Sequence, residues 1–256
     1  MYSVTITPFS VGADTGVLRG ILCRPDADGP FPCIVYAVGL DATYRSALPM
    51  ADLLCRNGYS LLALDFRGGS DESASGGDTT DMSVLTELRD FGAMVDAASQ
   101  LPATDGLVLA GESQGALVAA LYAAQHPECA EALVLLYPAF CLQDMLHVIF
   151  PVRRRIPDEY ILHGYFRVGR RFAEDMYDVD PYSEIGRYAG PVLLLHGDRD
   201  NRVALEYSEQ AAEVYQNARL HVMLGAGHGF EGASLREAGS EILAFLDSVL
   251  STQRDR

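Results

Sequence analysis

The sequence predicts an α/β protein: a mostly parallel, doubly wound sheet that opens with an antiparallel hairpin and carries a small helical cap inserted late in the chain. Three observations predict it. From residue 33 onward, short continuous apolar runs alternate with longer amphipathic stretches, as expected for buried parallel strands joined by crossover helices. The apolar run Leu107–Ala110 passes through Gly111-Glu112-Ser113-Gln114-Gly115 into an alanine-rich stretch, which reads as strand, glycine-flanked turn and helix. Residues 139–183 then break the alternation, with several aromatics, the clusters Arg153-Arg154-Arg155 and Arg170-Arg171, and no clean strand.

The elements follow in order. Residues 3–9 and 17–23 are β-rich and alternate, and Gly12-Ala13-Asp14-Thr15-Gly16 between them reads as a turn, giving a hairpin at the sheet edge. Asp26–Pro32 is a Pro/Gly loop, and Cys33–Val38 is apolar throughout, as in a strand covered on both faces. A loop at 39–42 leads to an amphipathic helix over 46–57, closed by Asn57-Gly58. Ser60–Phe66 is the next buried strand, and Arg67–Thr80, rich in Gly, Ser and Asp, is expected to be an exposed loop. Asp81 or Ser83 caps a helix over 82–100. The strand 106–111 and helix 114–125 follow, then a strand at 132–137. After the interruption come a strand at 191–196, a helix at 204–216, a strand at 220–224 and a final helix at 234–251. The domain reading is therefore a core of 1–138 and 184–256, with 139–183 as the cap.

Bulk properties narrow the function. A length of 256 residues suits one large α/β domain. The formal charge of −16 disfavours nucleic acid and anionic membranes as partners. The five cysteines are scattered without C-x-x-C spacing and mostly lie in apolar runs, so they read as reduced and structural, which places the chain in the cytoplasm. The N-terminus lacks the basic and long apolar regions of a signal peptide, and no run of about 18 apolar residues predicts a membrane span.

The chemistry centres on Ser113. Gly111-Glu112-Ser113-Gln114-Gly115 fits the G-x-S-x-G nucleophile elbow, in which a serine between strand and helix is held above the sheet and flanking glycines let the two elements pass closely. Serine needs an adjacent base, normally a histidine oriented by a carboxylate. Of the six histidines, His228 lies in Gly225-Ala226-Gly227-His228-Gly229-Phe230 just after the last strand, a glycine loop unlike a core position. His196 ends a strand and is assigned to shaping the turn, His126 to a helix end, and His147, His163 and His221 have no supporting context. In Leu195-His196-Gly197-Asp198-Arg199-Asp200, Asp200 is preferred over Asp198 because it sits further into the loop, leaving Asp198 to turn hydrogen bonds. The order Ser113, Asp200, His228 follows. The oxyanion hole is assigned to the backbone N–H of Gln114 and that of Leu40 in the loop after the third strand. No metal or other cofactor is expected, since neither an H-E-x-x-H set nor a glycine-rich phosphate-binding pattern is present.

These motifs, with nearly the whole chain, resemble the α/β-hydrolases. Within that superfamily the chain resembles the small bacterial cinnamoyl/feruloyl esterases, on Leu135-Leu136-Tyr137-Pro138-Ala139-Phe140, the cap length and Tyr182-Ser183-Glu184-Ile185 returning to the sheet. The chain has Val38-Gly39 where many relatives have His-Gly after the third strand. The resemblance implies a serine esterase with a small-molecule ester substrate, whose acyl group lies under the cap among aromatics such as Phe140, Phe150, Tyr160, Tyr165 and Phe166. It implies Asp144 as a substrate-binding cap residue holding a phenolic end. A serine peptidase or thioesterase with the same triad, and a catalytically silent binding fold, remain as alternatives, and homodimer formation stays open.

Overall fold

The computed structural model describes every residue except Thr15, Asp255 and Arg256. Two long strands, β1 (Val4–Ala13) and β2 (Gly16–Pro25), form the antiparallel hairpin, paired from Val4–Pro25 to Ala13–Gly16. Gly12, Ala13 and Gly16, expected in the turn, are paired in the ladder, and Thr15 lies outside the described residues. Then follow β3 (Phe31–Ala37), α1 (Tyr44–Arg56), β4 (Ser60–Leu64), α2 (Val84–Ser99), β5 (Thr104–Glu112), α3 (Gln114–Gln125) and β6 (Ala132–Leu136). After the interrupting segment come β9 (Val192–Gly197), α7 (Glu206–Val214), β10 (Ala218–Met223) and α8 (Gly232–Arg254).

Eight strands form one sheet in the order β1-β2-β4-β3-β5-β6-β9-β10. Pairs from β4 through β10 are parallel, and β1 and β2 add an antiparallel edge. Every residue of β3, β4, β6 and β9 is buried, which is why these strands read as unbroken apolar runs. From β3 the chain moves outward to β4, then crosses back to place β5 on the other side of β3. The loops after β3 and β5 therefore diverge at a topological switch point, where an open α/β sheet forms its crevice. Among the described residues, no helix is long and apolar enough to cross a membrane.

Local chemistry sets the helix ends. Ser83, not Asp81, caps α2: its Oγ accepts from the Thr86 N–H at 3.3 Å and the Thr86 hydroxyl accepts from the Ser83 N–H at 2.9 Å, a reciprocal capping box. The loop 67–80 is less exposed than expected. The fully buried Asp65 accepts from the Ala74 N–H at 2.7 Å, and Arg67 Nε reaches Asp90 at 2.9 Å, so both sides of the loop are pinned to the core.

The segment between β6 and β9 holds α4 (Leu142–Ile149), β7 (Glu159–Leu162), β8 (Phe166–Gly169), α5 (Arg170–Met176) and α6 (Pro181–Ile185). Beside the helices that the sequence leads one to expect, this segment holds a short strand pair: β7 and β8 form an antiparallel hairpin from Glu159–Gly169 to Leu162–Phe166. Each strand is only four residues, too short for alternation to stand out in the sequence.

Candidate active site

The elbow is built by close backbone approach. Ser113, between β5 and α3, has φ +52° and ψ −120°, a region costly for a residue with a side chain. Surrounding contacts hold it there: its N–H donates to the Leu136 carbonyl at 3.0 Å and its carbonyl accepts from the Ala139 N–H at 3.0 Å. A Cβ at Gly111 would lie 2.6 Å from the Gly115 backbone, and one at Gly115 would lie 2.3 Å from the Ala37 carbonyl oxygen, so both positions exclude any side chain. Behind the serine, α3 is buried from Gln114 to Ala124, and its alanines let it lie against the sheet.

Three loops at the carboxyl ends of the strands bring the predicted residues together. The Ser113 hydroxyl lies 3.0 Å from His228 Nε2, and His228 Nδ1 lies 2.7 Å from Asp200 Oδ2. With Asp200 ionised, Nδ1 carries the proton it donates, leaving Nε2 free to accept from the serine. The Asp200 side chain is fully buried. Burial alone would raise its pKa, but hydrogen bonds from His196, His228 and the Val203 and Arg202 N–H groups hold it well below the usual carboxylate range. His196 shapes this turn, as expected from sequence. Its Nε2 faces the Val203 carbonyl at 2.9 Å and Asp200 at 3.3 Å, so it bears a proton there, while Nδ1 accepts from the Ser208 hydroxyl at 2.7 Å. Asp198 takes the other role, accepting from the Gly225 N–H at the base of the histidine loop.

Leu40 and Gln114 both line the cavity into which Ser113 projects, and among the described residues neither backbone N–H has a protein acceptor. A backbone N–H without a protein acceptor is the kind of donor that can hold a developing oxyanion. A Cβ at Gly39 would lie 3.3 Å from the Ser113 Cβ, so the small residue keeps the approach of this loop to the serine open.

The cavity measures about 460 Å³. Leu40, Ala42 and Pro49 line it from the sheet side, and Leu142, Met145, Leu162 and Phe172 from the β6–β9 segment. Of the five aromatics expected under the cap, Tyr165 lines it; Phe140 and Phe166 are buried in the core, and Phe150 packs edge-on against Tyr160 at 4.8 Å. Asp144 stands outside the lining. Leu142 and Met145, one helical turn apart, face the cavity, whereas Asp144 is exposed and accepts from the Tyr207 hydroxyl at 2.9 Å, tying α4 to the start of α7.

Two groups escaped the sequence reading. Glu112, inside the elbow motif, accepts from the hydroxyls of Ser46 at 2.6 Å, Tyr137 at 3.0 Å and Tyr36 at 3.1 Å, which fixes the residue next to Ser113. Burial, then the Glu112 charge, push both tyrosine pKa values well up, so the hydroxyls stay protonated donors. Glu87 on α2 is buried beneath the elbow and accepts from the Gln114 side chain at 2.8 Å; burial raises its pKa to about 8. A signal existed: Glu87 falls on the stripe of Val84, Phe91, Met94 and Ala98, an acid on an apolar helix face.

Residues 29–159, half of the chain, match the family described as serine aminopeptidase, S33. The chain belongs to this family. The match includes the elbow, whereas Asp200 and His228 lie beyond it and rest on the geometry above. No curated protein sequence matches. Among solved structures, Est1E from Butyrivibrio proteoclasticus with bound ferulic acid superposes with a TM-score of 0.87 at 23% identity, over 95% of this chain and 99% of that one. Alpha/beta hydrolase domain-containing protein 10 from mouse gives 0.71 at 20% identity, over 94% and 99%. The monoacylglycerol lipase of Paleococcus ferrophilus gives 0.67 at 21%, over 87% and 97%. The chain is thus an α/β-hydrolase in fold and family.

Proposed function

We propose that this α/β-hydrolase cleaves carboxylic esters through an acyl-enzyme. The observation that carries the reading is the continuous hydrogen-bonded line from the Ser113 hydroxyl through His228 to Asp200 at the wall of an apolar cavity. Ser113 attacks the ester carbonyl as His228 Nε2 takes its proton. Asp200 keeps Nδ1 protonated and stabilises the imidazolium, and the Leu40 and Gln114 N–H groups hold the oxyanion. His228 then protonates the leaving alcohol, and water enters by the same base to release the acid. The segment 139–183 acts as a cap over the acyl group.

A hydroxycinnamate acyl group is the substrate class we favour. The cavity is apolar and large enough to admit a small aromatic acyl chain, and the Est1E structure holds ferulic acid. The family description favours a second reading, cleavage of peptide bonds by the same residues.

The test is a panel of p-nitrophenyl acetate and butyrate, methyl ferulate, ethyl cinnamate and an amino-acid p-nitroanilide, with wild type and Ser113→Ala. Serine-dependent turnover that favours the hydroxycinnamates supports the proposal. Turnover of short aliphatic esters alone discards the aromatic acyl group, preference for the anilide selects the peptidase reading, and turnover that survives in Ser113→Ala removes the mechanism.

A further inference from the structure

The loop that carries His228 is weakly held by its own backbone. Gly225 and Gly229 have φ of +77° and +88°, and a Cβ added at either would meet nothing within 4 Å. Among the described residues, residues 227–230 make no backbone-to-backbone hydrogen bond. Asp200 fixes His228 Nδ1 at 2.7 Å. A hydrogen bond at one ring atom sets a distance and leaves the tilt of the imidazole to packing.

That packing comes from Tyr137, the residue that follows β6. Its ring meets the His228 imidazole edge-on with 4.8 Å between ring centres, and it meets Phe230 edge-on at the same spacing. Edge-on contacts of this kind are attractive and have a preferred geometry. Tyr137, unlike the loop, is firmly fixed. It is buried, its N–H donates to the Leu195 carbonyl at 2.7 Å and its hydroxyl donates to Glu112 at 3.0 Å. Its φ is +37°, a conformation that a residue with a side chain keeps only where its surroundings enforce it. The same short segment grips the serine, because the Leu136 carbonyl and the Ala139 N–H bond the two sides of the Ser113 backbone. Residues 136–139 therefore hold Ser113 through backbone and His228 through the Tyr137 ring.

We propose that Tyr137 is a positioning residue, whose ring sets the tilt of His228 so that Nε2 stays aimed at the Ser113 hydroxyl. The inference rests on the reading of Ser113, Asp200 and His228 given above. Tyr137 itself transfers no proton. It also lines the cavity, and a residue that served only as wall would act on KM and leave the activation of Ser113 untouched.

The test compares wild type, Tyr137→Leu and Tyr137→Phe, each checked for folding by circular dichroism and melting. Two rates are read: labelling of Ser113 by a fluorophosphonate, and turnover of p-nitrophenyl acetate, the smallest acyl group of the panel. Tyr137→Leu should lower kcat and the labelling rate by about 10²-fold, as misplacement of a reacting group does, with KM unchanged. Tyr137→Phe keeps the ring and should stay within about threefold of wild type. Unchanged labelling in Tyr137→Leu, or a loss confined to KM, overturns the proposal. A Tyr137→Phe variant as impaired as Tyr137→Leu also overturns it, since the hydroxyl and not the ring then carries the effect. If Tyr137→Leu does not fold, Phe230→Leu removes the ring packed against Tyr137 and should slow labelling by about tenfold; an unchanged rate there overturns the proposal. A wild type that fails to label at Ser113 overturns the triad reading and this inference together, whereas labelled wild type with an equally labelled Tyr137→Leu overturns this inference alone.

Discussion

On the sheet side of the cavity, one methyl group added at residue 115 would lie 2.3 Å from the Ala37 carbonyl oxygen. On the opposite side, Met145 and Leu162 line the same cavity as ordinary apolar side chains on a short helix and a four-residue strand. The first side is fixed by backbone: the strand–helix crossing admits no side chain at Gly111 or Gly115, and three loop ends converge on one hydrogen-bonded line. The second side is fixed by packing, where many apolar residues of similar volume serve equally well. On the proposed function, chemistry belongs to the side where the backbone leaves one choice, and specificity to the side where packing leaves many.

If that contrast is right, substitutions on the sheet side should destroy chemistry or fold, and those on the other side should shift substrate preference. Ser113→Ala should lower kcat by about 10⁶-fold, measured with the best ester of the panel. Asp200→Asn should keep the fold and lower kcat by about 10⁴-fold, because an amide facing His228 Nδ1 favours the wrong tautomer; a loss below about tenfold would mean that another group orients the histidine. Gly115→Ala should cost more than about 4 kcal/mol, or prevent folding, through overpacking against the Ala37 carbonyl. Urea unfolding of a variant that purifies normally with unchanged midpoint would break the steric account of the elbow.

A smaller effect is expected at Glu87. Its pKa is raised by burial to about 8 in the folded chain and is near 4.3 when unfolded. Between those values the folded state binds the extra proton, so its contribution makes stability fall as pH rises, and the slope ends above about pH 8. Glu87→Gln removes that slope, so the melting temperature of the variant relative to wild type should climb from pH 5 to pH 8. A constant difference would contradict a neutral Glu87. The smallest effect should come from Asp144→Asn, which keeps an acceptor for the Tyr207 hydroxyl and lies off the cavity wall: less than about 1 kcal/mol in stability and no change in KM for methyl ferulate. A raised KM confined to phenolic esters would restore Asp144 to substrate binding.

The same contrast explains what could be read from sequence. The strands β3, β4, β6 and β9 are buried on both faces and announce themselves as apolar runs. Ser113, His228 and Asp200 are marked by glycines and strand ends that tie residue type to position. The β7–β8 hairpin left no such mark, because two four-residue strands carry too little alternation. Asp144 was placed by resemblance alone, and the structure turns it toward Tyr207. The three hydroxyls on Glu112 come from residues 36, 46 and 137, a convergence that only the folded sheet creates.

The most direct test of the central claim is labelling with a fluorophosphonate followed by peptide mass analysis, which reads nucleophile activation without assuming a substrate. The account predicts one adduct per chain on the peptide containing Ser113, at least about 10³-fold slower in His228→Ala and absent in Ser113→Ala. No adduct in the wild type, or an adduct on a different serine, would contradict it.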